Sequence, residues 1–140
     1  MPRPSHRSEQ ASAFFAAVYA AVSEVPHGKV TSYAHIARLV GKPECPRQVG
    51  MCLKHLPDDT SLRFNGSSVP WQRVINAKGG ISPRGPSGAS RQAAVLRGEG
   101  VDVQRSAMGE YSVDFGVYGW FPEMLPSEEA ELAEESDEET

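Results

Sequence analysis

Apolar side chains recur at helical spacing near the start of the chain. In the stretch ASAFFAAVYAAVSEV they fall at i, i+1, i+4, i+5 and i+8, and the residues concerned are Phe14, Phe15, Val18, Tyr19 and Val22. This spacing puts them on one face and predicts an amphipathic helix. Pro26 and Gly28 follow in PHGKVTSY and predict that the helix has ended there.

Two shorter helices are predicted next. The first is YAHIARLV, with Thr31 or Ser32 as its N-cap and Gly41 as its stop. After the connection KPECP, the second is PRQVGMCLKHL, with Pro46 at its first position. Two short helices joined by a few residues predict a helix-turn-helix. The second helix carries the polar side chains Arg47, Gln48 and Lys54.

The remainder of the chain predicts turns, one more helix and short strands. PDDTSLRFNGSSVP contains Asn65-Gly66, a hairpin signal where a winged-helix protein has its wing. Val74-Ile75 predicts the start of a buried strand in the otherwise loop-rich stretch 71–90. SRQAAVLRGEG predicts a fourth helix, and VDVQRSAMGEYSVDF predicts a hairpin around Met108-Gly109. The predicted fold class is α+β, a single winged-helix-like domain with a helix-turn-helix and a small β-hairpin.

The charge of the chain is unevenly distributed. The 140 residues carry a formal net charge of −4, and 39% of them are hydrophobic, which suits one compact domain. Residues 123–140 hold nine acidic residues and no basic one, so residues 1–122 carry 14 Lys and Arg against nine Asp and Glu, a net charge of +5. We predict a flexible N-terminus over 1–12, a folded domain over 13–122 and a disordered acidic tail over 123–140. A basic domain is compatible with nucleic acid without establishing it.

Several classes of protein are not expected from this sequence. No run approaches the roughly 18 apolar residues of a membrane span, and MPRPSHRSEQ lacks an apolar signal segment. Cys45 and Cys52 form no CxxC pair, which predicts an intracellular protein with free thiols, in the nucleus or the cytoplasm. The four histidines lack metal-ligand spacing. We therefore expect no membrane association, no metal and no other cofactor.

Four stretches together resemble one protein family. VPHGKVTSYAHIARLVG, RQVG, VPWQRVI and LRGEGV are similar in order and spacing to the DNA-binding domain of the O6-alkylguanine-DNA alkyltransferases, from about Phe14 to Trp120. Where the family has Pro-Cys-His-Arg-Val, this chain has Trp71 at the cysteine position and Gln72 at the histidine position. In this it resembles the alkyltransferase-like proteins, which lack the acceptor cysteine. The resemblance therefore implies a winged-helix DNA-binding domain over 13–122.

The substituted residues argue against alkyl transfer. That reaction needs a thiolate held beside a base that lowers its pKa. The Trp71 indole offers one N–H donor, and the Gln72 amide cannot take up a proton. Glu99, in LRGEG, matches the family's glutamate without its histidine partner. Cys45 and Cys52 lie outside the motif, and Cys52 is expected to be a buried small hydrophobe. We therefore predict that the protein is not an enzyme.

The resemblance implies a partner and a set of contacts. The partner is double-stranded DNA containing O6-alkylguanine, whose damaged nucleotide must be rotated out of the stack to be inspected. Arg47 is implied to fill the vacated stack, and Tyr33 to crowd the 3′ phosphate. Gly50 would allow close backbone approach in the minor groove. The full set of predicted DNA and lesion contacts is Tyr33, Arg47, Trp71, Arg84, Ser32, Gln48, Gly50 and Pro70.

The pocket residues have a structural interpretation as well as a functional one. Trp71 is implied to form a wall or floor of the lesion pocket, yet a single tryptophan is more often core. Taken alone, Tyr33 is a helix-start packing residue and Arg47 a solvated charge, and only their joint spacing favours the functional roles. Arg84 either contacts the flipped base by a cation–π interaction or does not, with equal support. Arg73 and Glu99 are equally compatible with purely structural pairing.

Three functions stay open at this point. The resemblance implies a monomeric, non-enzymatic damage sensor that passes O6-alkylguanine lesions to nucleotide excision repair proteins. A residual alkyltransferase or hydrolase would need another nucleophile. A general winged-helix module would bind damaged and undamaged DNA equally.

Overall fold

The computed structural model describes residues 8–83 and 88–139. Its first helix, α1, spans Glu9–Ser23. The Oγ of Ser8 accepts the N–H of Ala11 at 3.1 Å and caps the first turn of this helix. The helix therefore begins inside the stretch 1–12 that was predicted to be flexible.

The next two helices form the predicted helix-turn-helix. α2 spans Tyr33–Leu39 and α3 spans Pro46–Lys54. Ser32 is the N-cap of α2, because its Oγ accepts the N–H of His35 at 3.0 Å. Gly41 follows α2 with φ +80°, a left-handed conformation that glycine adopts without steric cost. The predicted starts of both helices are thus confirmed, whereas α2 ends one residue and α3 two residues before the predicted ends at Val40 and Leu56.

A short parallel pairing connects the middle of the chain to the helix-turn-helix. Residues Trp71–Arg73 form a single 3₁₀ turn, and strand β2, Val74–Ile75, follows it directly. β2 pairs in parallel with β1, Thr31–Ser32, which immediately precedes α2. All four strand residues are buried, which confirms the buried strand predicted at Val74. Because the pairing is parallel, the Trp71–Arg73 turn lies beside the residues that precede Thr31.

The last third of the domain contains one helix and one hairpin. α4 spans Gly88–Gly98 and packs against the Trp71–Arg73 turn and the hairpin. The hairpin joins β3, Val103–Arg105, to β4, Tyr111–Val113, in antiparallel register. A one-turn helix, α5, follows at Phe115–Tyr118. The predicted fourth helix, the predicted C-terminal hairpin and the α+β class are confirmed.

Two groups of buried side chains lie on opposite sides of β2. One lies among α1, α2 and α3 and includes Val74. The other lies between α4 and the hairpin and includes Ile75. Successive residues of a strand point to opposite faces, so the two adjacent residues of β2 enter different cores. The strand therefore fixes the position of the preceding turn relative to both halves of the domain.

The hairpin predicted at Asn65-Gly66 is wrong. Asn65 is 4% exposed, and its Oδ1 accepts the N–H of Ser67 at 2.8 Å. An asparagine side chain that accepts from the backbone two residues on forms a local turn and replaces strand pairing. The neighbouring Phe64 packs on Tyr19 of α1, with 5.7 Å between ring centroids. The segment therefore folds back over α1, and no wing is formed there.

The acidic segment at the end of the chain also differs from its prediction. Residues Pro126–Glu139 form helix α6, where a disordered tail was predicted over 123–140. Proline suits the first position of a helix, and alanine and glutamate favour the helical state. The Glu24 carboxylate at the end of α1 accepts the N–H and the hydroxyl of Ser127, at 2.9 and 2.6 Å. Leu125 packs on the first core. Local propensity and this tertiary cap together outweigh the repulsion between the acidic side chains.

Candidate nucleic-acid interface

Helix α3 presents its first polar residues to solvent. Arg47 and Gln48 are exposed at the N-terminal end of the helix. The buried side chains of the same helix are Val49, Cys52 and Leu53. The helical period separates the two sets, with one face turned to the core and the other to solvent. Of the three contacts predicted on this helix, Arg47 and Gln48 are therefore available at the surface.

A cavity of about 630 Å³ lies between the beginnings of α2 and α3. Its lining comprises Tyr33, Pro46, Arg47, Gly50, Lys54, Ser82 and Pro83. Three predicted contact residues, Tyr33, Arg47 and Gly50, are thus brought together. The Tyr33 ring lies over Gly50, since a Cβ built on Gly50 would be 3.7 Å from Tyr33 Cε1. This is an ordinary van der Waals contact, so the packing of Tyr33 alone does not require glycine there.

Two further predicted contacts occupy structural positions. Ser32 is 5% exposed, and its hydroxyl is engaged as the N-cap of α2. Pro70 is half-buried and directly precedes the Trp71–Arg73 turn. Contact of either residue with DNA stays a prediction.

The Trp71 side chain packs on a core and also lines a cavity. The side chain is half-buried and packs on the first core. It also lines a second cavity, of about 280 Å³, whose other lining residues are Leu53, Lys54, Leu56, Asp58, Gly66, Gly88 and Arg91. Lys54 lines both cavities, so the Trp71 cavity adjoins the Tyr33 and Arg47 cavity. The indole is therefore both a packing residue and a wall of a pocket beside the helix-turn-helix.

The Trp71 turn is held by the carboxylate of Glu99. Glu99 Oε2 accepts from Gln72 Nε2 at 2.6 Å, and Oε1 accepts from Arg73 Nε at 2.9 Å. Oε1 also accepts the backbone N–H of Gly28 at 2.9 Å. Arg73 Nη1 donates to the carbonyl of Val25 at 2.8 Å. One carboxylate therefore ties the turn to the end of α4 and to the loop that follows α1.

The electrostatics of this network favour the ionised carboxylate. Burial acts to raise the pKa of Glu99. The hydrogen bonds from Arg73, Gly28 and Gln72, together with the Arg73 charge, outweigh that effect and hold the pKa of Glu99 below its ordinary value. The Arg73 and Glu99 side chains are 15% and 8% exposed, so the pair is shielded from water. The Glu99 carboxylate therefore holds the Trp71–Arg73 turn in place. Because its oxygens already accept hydrogen bonds from three donors, it is poorly arranged to act as a general base.

The sequence did not reveal several contacts of this region. The contact of Gln72 with Glu99 was not predicted, and it gives Glu99 an amide donor. Gln92 is 1% exposed, and its amide donates to the carbonyls of Gln72 and Val74 at 3.0 and 3.2 Å. Arg91 lines the Trp71 cavity from α4. None of these residues has a local signal, since each acts on a segment distant in sequence.

Arg84 lies outside the described residues, so its contact with the base stays a prediction. In the ranges 8–83 and 88–139 no cluster of three potential metal-ligating side chains is found. Over the same ranges, none of the helices has the length and apolar content to cross a membrane. Cys52 is buried, as predicted, and Cys45 is half-buried.

The family model, the related sequences and the solved structures that match this chain all point to one family. The family model described as the DNA-binding domain of 6-O-methylguanine DNA methyltransferase matches residues 13–101. Alkyltransferase-like protein 1 of Schizosaccharomyces pombe is 46% identical over 110 residues, which are 78% of this chain and 95% of that protein. A DNA base-flipping protein of Escherichia coli is 39% identical over 114 residues, 81% of this chain and 79% of that protein. The crystal structure of S. pombe Atl1 with damaged DNA containing O6-carboxymethylguanine superposes with a TM-score of 0.70 at 43% identity, covering 84% of this chain and all of that one.

Proposed function

The chain belongs to the family of the 6-O-methylguanine DNA methyltransferase DNA-binding domain, and from this membership we propose that it is a non-enzymatic sensor of O6-alkylguanine in double-stranded DNA. It binds the damaged duplex, rotates the modified nucleotide out of the stack and holds it in a pocket. Rotation is required because a base inside a duplex cannot be inspected at its O6 atom. Its relatives named for base flipping and its likeness to a complex with damaged DNA support this proposal.

The position of Trp71 is the observation that carries the proposal. In the family motif this position holds the acceptor cysteine, and here an indole lines a cavity that adjoins the surface of the helix-turn-helix. Base–aromatic contact contributes about 1–3 kcal/mol. The following residue, Gln72, donates a neutral amide to Glu99, so neither residue supplies a nucleophile or a proton acceptor. The site keeps the means to hold a base and lacks the means to dealkylate it.

Arg47 and Tyr33 are assigned to the extrusion step. Both line the cavity that adjoins the Trp71 cavity, and Arg47 is exposed at the start of α3. A planar guanidinium can stack between bases and hydrogen-bond the orphaned partner of the flipped nucleotide. Tyr33 is proposed to crowd the neighbouring phosphate. Ser32, Gln48, Gly50 and Pro70 complete the proposed interface, and Arg84 is proposed to contact the flipped base.

The proposal extends to the fate of the lesion. Without a transfer reaction the lesion must be handed on, and we propose hand-off from an intracellular monomer to nucleotide excision repair proteins. The exposed acidic residues of α6 are suited to a basic surface on such a partner. Sedimentation of the complex with a damaged duplex tests the monomer, since one chain per duplex is expected and two would contradict it.

Fluorescence anisotropy tests the central proposal. The protein is titrated against two short duplexes at fixed salt, one with O6-methylguanine and one with guanine at the same position. We expect clearly tighter binding to the methylated duplex, with the difference reduced in Trp71→Ala. Equal binding to both duplexes would reject damage sensing and leave a general DNA-binding module. A mass increase of one methyl group on the protein after incubation would instead show alkyl transfer.

A further inference from the structure

The Trp71 cavity contains two cationic side chains from different helices. Lys54 is the last residue of α3, and Arg91 lies on the first turn of α4. The cavity also has an apolar part, formed by Leu53, Leu56 and the Trp71 indole. A purine base needs the apolar surface, but a neutral alkyl group makes no use of the two cations.

The two cations are not neutralised within the described chain. The one ion pair found in residues 8–83 and 88–139 joins Arg73 to Glu99, so neither Lys54 nor Arg91 is paired with a carboxylate there. Among the described lining residues Asp58 is the single acidic one, so these residues carry a net charge of +1 from two cations and one anion. Both cations are exposed to solvent. An anionic group bound in the cavity therefore gains a cationic partner, and the exposed cations lose little of their contact with solvent.

We propose that this protein prefers O6 adducts that end in a carboxylate over neutral adducts of the same size, and that Lys54 and Arg91 provide the preference. The inference rests on the proposed function, since it requires the flipped base to lie against Trp71. Arg91 can meet a carboxylate with two parallel N–H donors, and Lys54 adds a point charge from the other side. A DNA phosphate offers the same anionic chemistry, so the test must separate adduct from backbone.

The experiment compares three duplexes that differ at one nucleotide: guanine, O6-carbamoylmethylguanine and O6-carboxymethylguanine. The two adducts have the same number of heavy atoms and the same planar end group, and only the second is charged. For wild type we expect the carboxymethyl duplex to bind about fivefold tighter than the carbamoylmethyl duplex, the scale of two exposed charge pairs. The ratio should fall in Lys54→Gln and in Arg91→Gln, approach one in the double variant, and shrink as salt increases. Lys78→Gln, an exposed lysine outside the cavity, should leave the ratio unchanged.

The outcomes separate this inference from the function on which it rests. If both adducts bind equally and both bind tighter than guanine, damage sensing stands and the carboxylate preference is rejected. If the Lys54 and Arg91 variants weaken all three duplexes by the same factor, the cations contact the DNA backbone and the preference is likewise rejected. If neither adduct binds tighter than guanine, the proposed function itself fails.

Discussion

Substitution of Glu99 by alanine should destabilise the domain and loosen the Trp71 turn. The change removes the acceptor of three hydrogen bonds, from Gln72, Arg73 and Gly28. Removing one partner of a shielded ion pair costs roughly 3–5 kcal/mol, because the other charge is left without compensation. Arg73 retains the Val25 carbonyl and is 15% exposed, so we expect the lower end, about 3 kcal/mol.

Urea unfolding at pH 7, followed by tryptophan fluorescence, measures this free energy. Glu123→Ala is the matched control, since Glu123 is exposed, and it should change the free energy of unfolding by no more than about 0.5 kcal/mol. In a double-mutant cycle, the variant Glu99→Ala/Arg73→Met should regain much of the free energy of unfolding lost in Glu99→Ala, because it also removes the guanidinium left without its carboxylate. Lesion affinity should fall in Glu99→Ala as well, since the turn that carries Trp71 loses its anchor.

The ion pair between Arg73 and Glu99 also predicts how the free energy of unfolding depends on pH. The pKa of Glu99 is lower in the folded protein than its ordinary value of 4.5. A depressed carboxylate pKa stabilises the fold above the unfolded-state value, and this contribution is lost as the pH falls through the folded-state value. The stability difference between wild type and Glu99→Ala should therefore be constant from pH 5.5 to 7.5 and shrink below about pH 4.5. A difference under about 1 kcal/mol at pH 7, or one that does not shrink in acid, would refute the assignment of Glu99 as the anchor.

Three further changes test the interface and the acidic helix. Arg47→Ala should weaken binding to a methylated duplex about tenfold or more, because the vacated stack is no longer filled, and should weaken binding to undamaged DNA much less. Equal loss of affinity on both duplexes would indicate that Arg47 contacts a phosphate instead. Tyr33→Ala should also lower affinity mainly for the damaged duplex, and a loss confined to undamaged DNA would contradict its role in extrusion. Deletion of residues 126–140 removes eight acidic residues and should leave the domain folded while tightening DNA binding, most at low salt. A drop in Tm of more than about 8 °C would show instead that α6 supports the core.

Helix boundaries could be predicted from the sequence because their signals are local. The capping hydroxyl of Ser32, the proline at the start of α3 and the left-handed Gly41 each act within one turn of the residue that needs them. Asn65 shows the limit of such reasoning. An Asn-Gly pair suits a hairpin, but here the asparagine side chain satisfies nearby backbone donors, and the choice between the two depends on what packs above. The packing of Phe64 on Tyr19 of α1 favours the local turn over the hairpin, and that contact has no local signal in the sequence.

The arrangement of the site could not be predicted because it depends on contacts between distant segments. Gly28 and Glu99 are 71 residues apart, and Gln72 and Glu99 are 27 apart, yet one carboxylate joins them. The parallel pairing of β1 with β2 supplies the register that makes this possible. Periodicity and capping do not encode such a pairing. Only the family resemblance indicated that Tyr33, Arg47 and Trp71 belong to one surface.

The Gln72–Glu99 contact explains how a reactive site can lose its chemistry and keep its shape. A histidine at position 72 would bridge to Glu99 and exchange a proton, whereas an amide can donate the same hydrogen bond and exchange none. Glu99 still receives its three donors, so the turn and its tryptophan stay in place. Without a covalent step, occupancy of the lesion depends on affinity alone. Extruding a nucleotide costs a few kcal/mol, and less for a poorly paired base, while one aromatic contact returns about 1–3 kcal/mol. Under the proposed function, Trp71 would offset this cost only together with an arginine in the vacated stack and a lesion that weakens its own base pair. Discrimination against guanine would then follow from this energy balance.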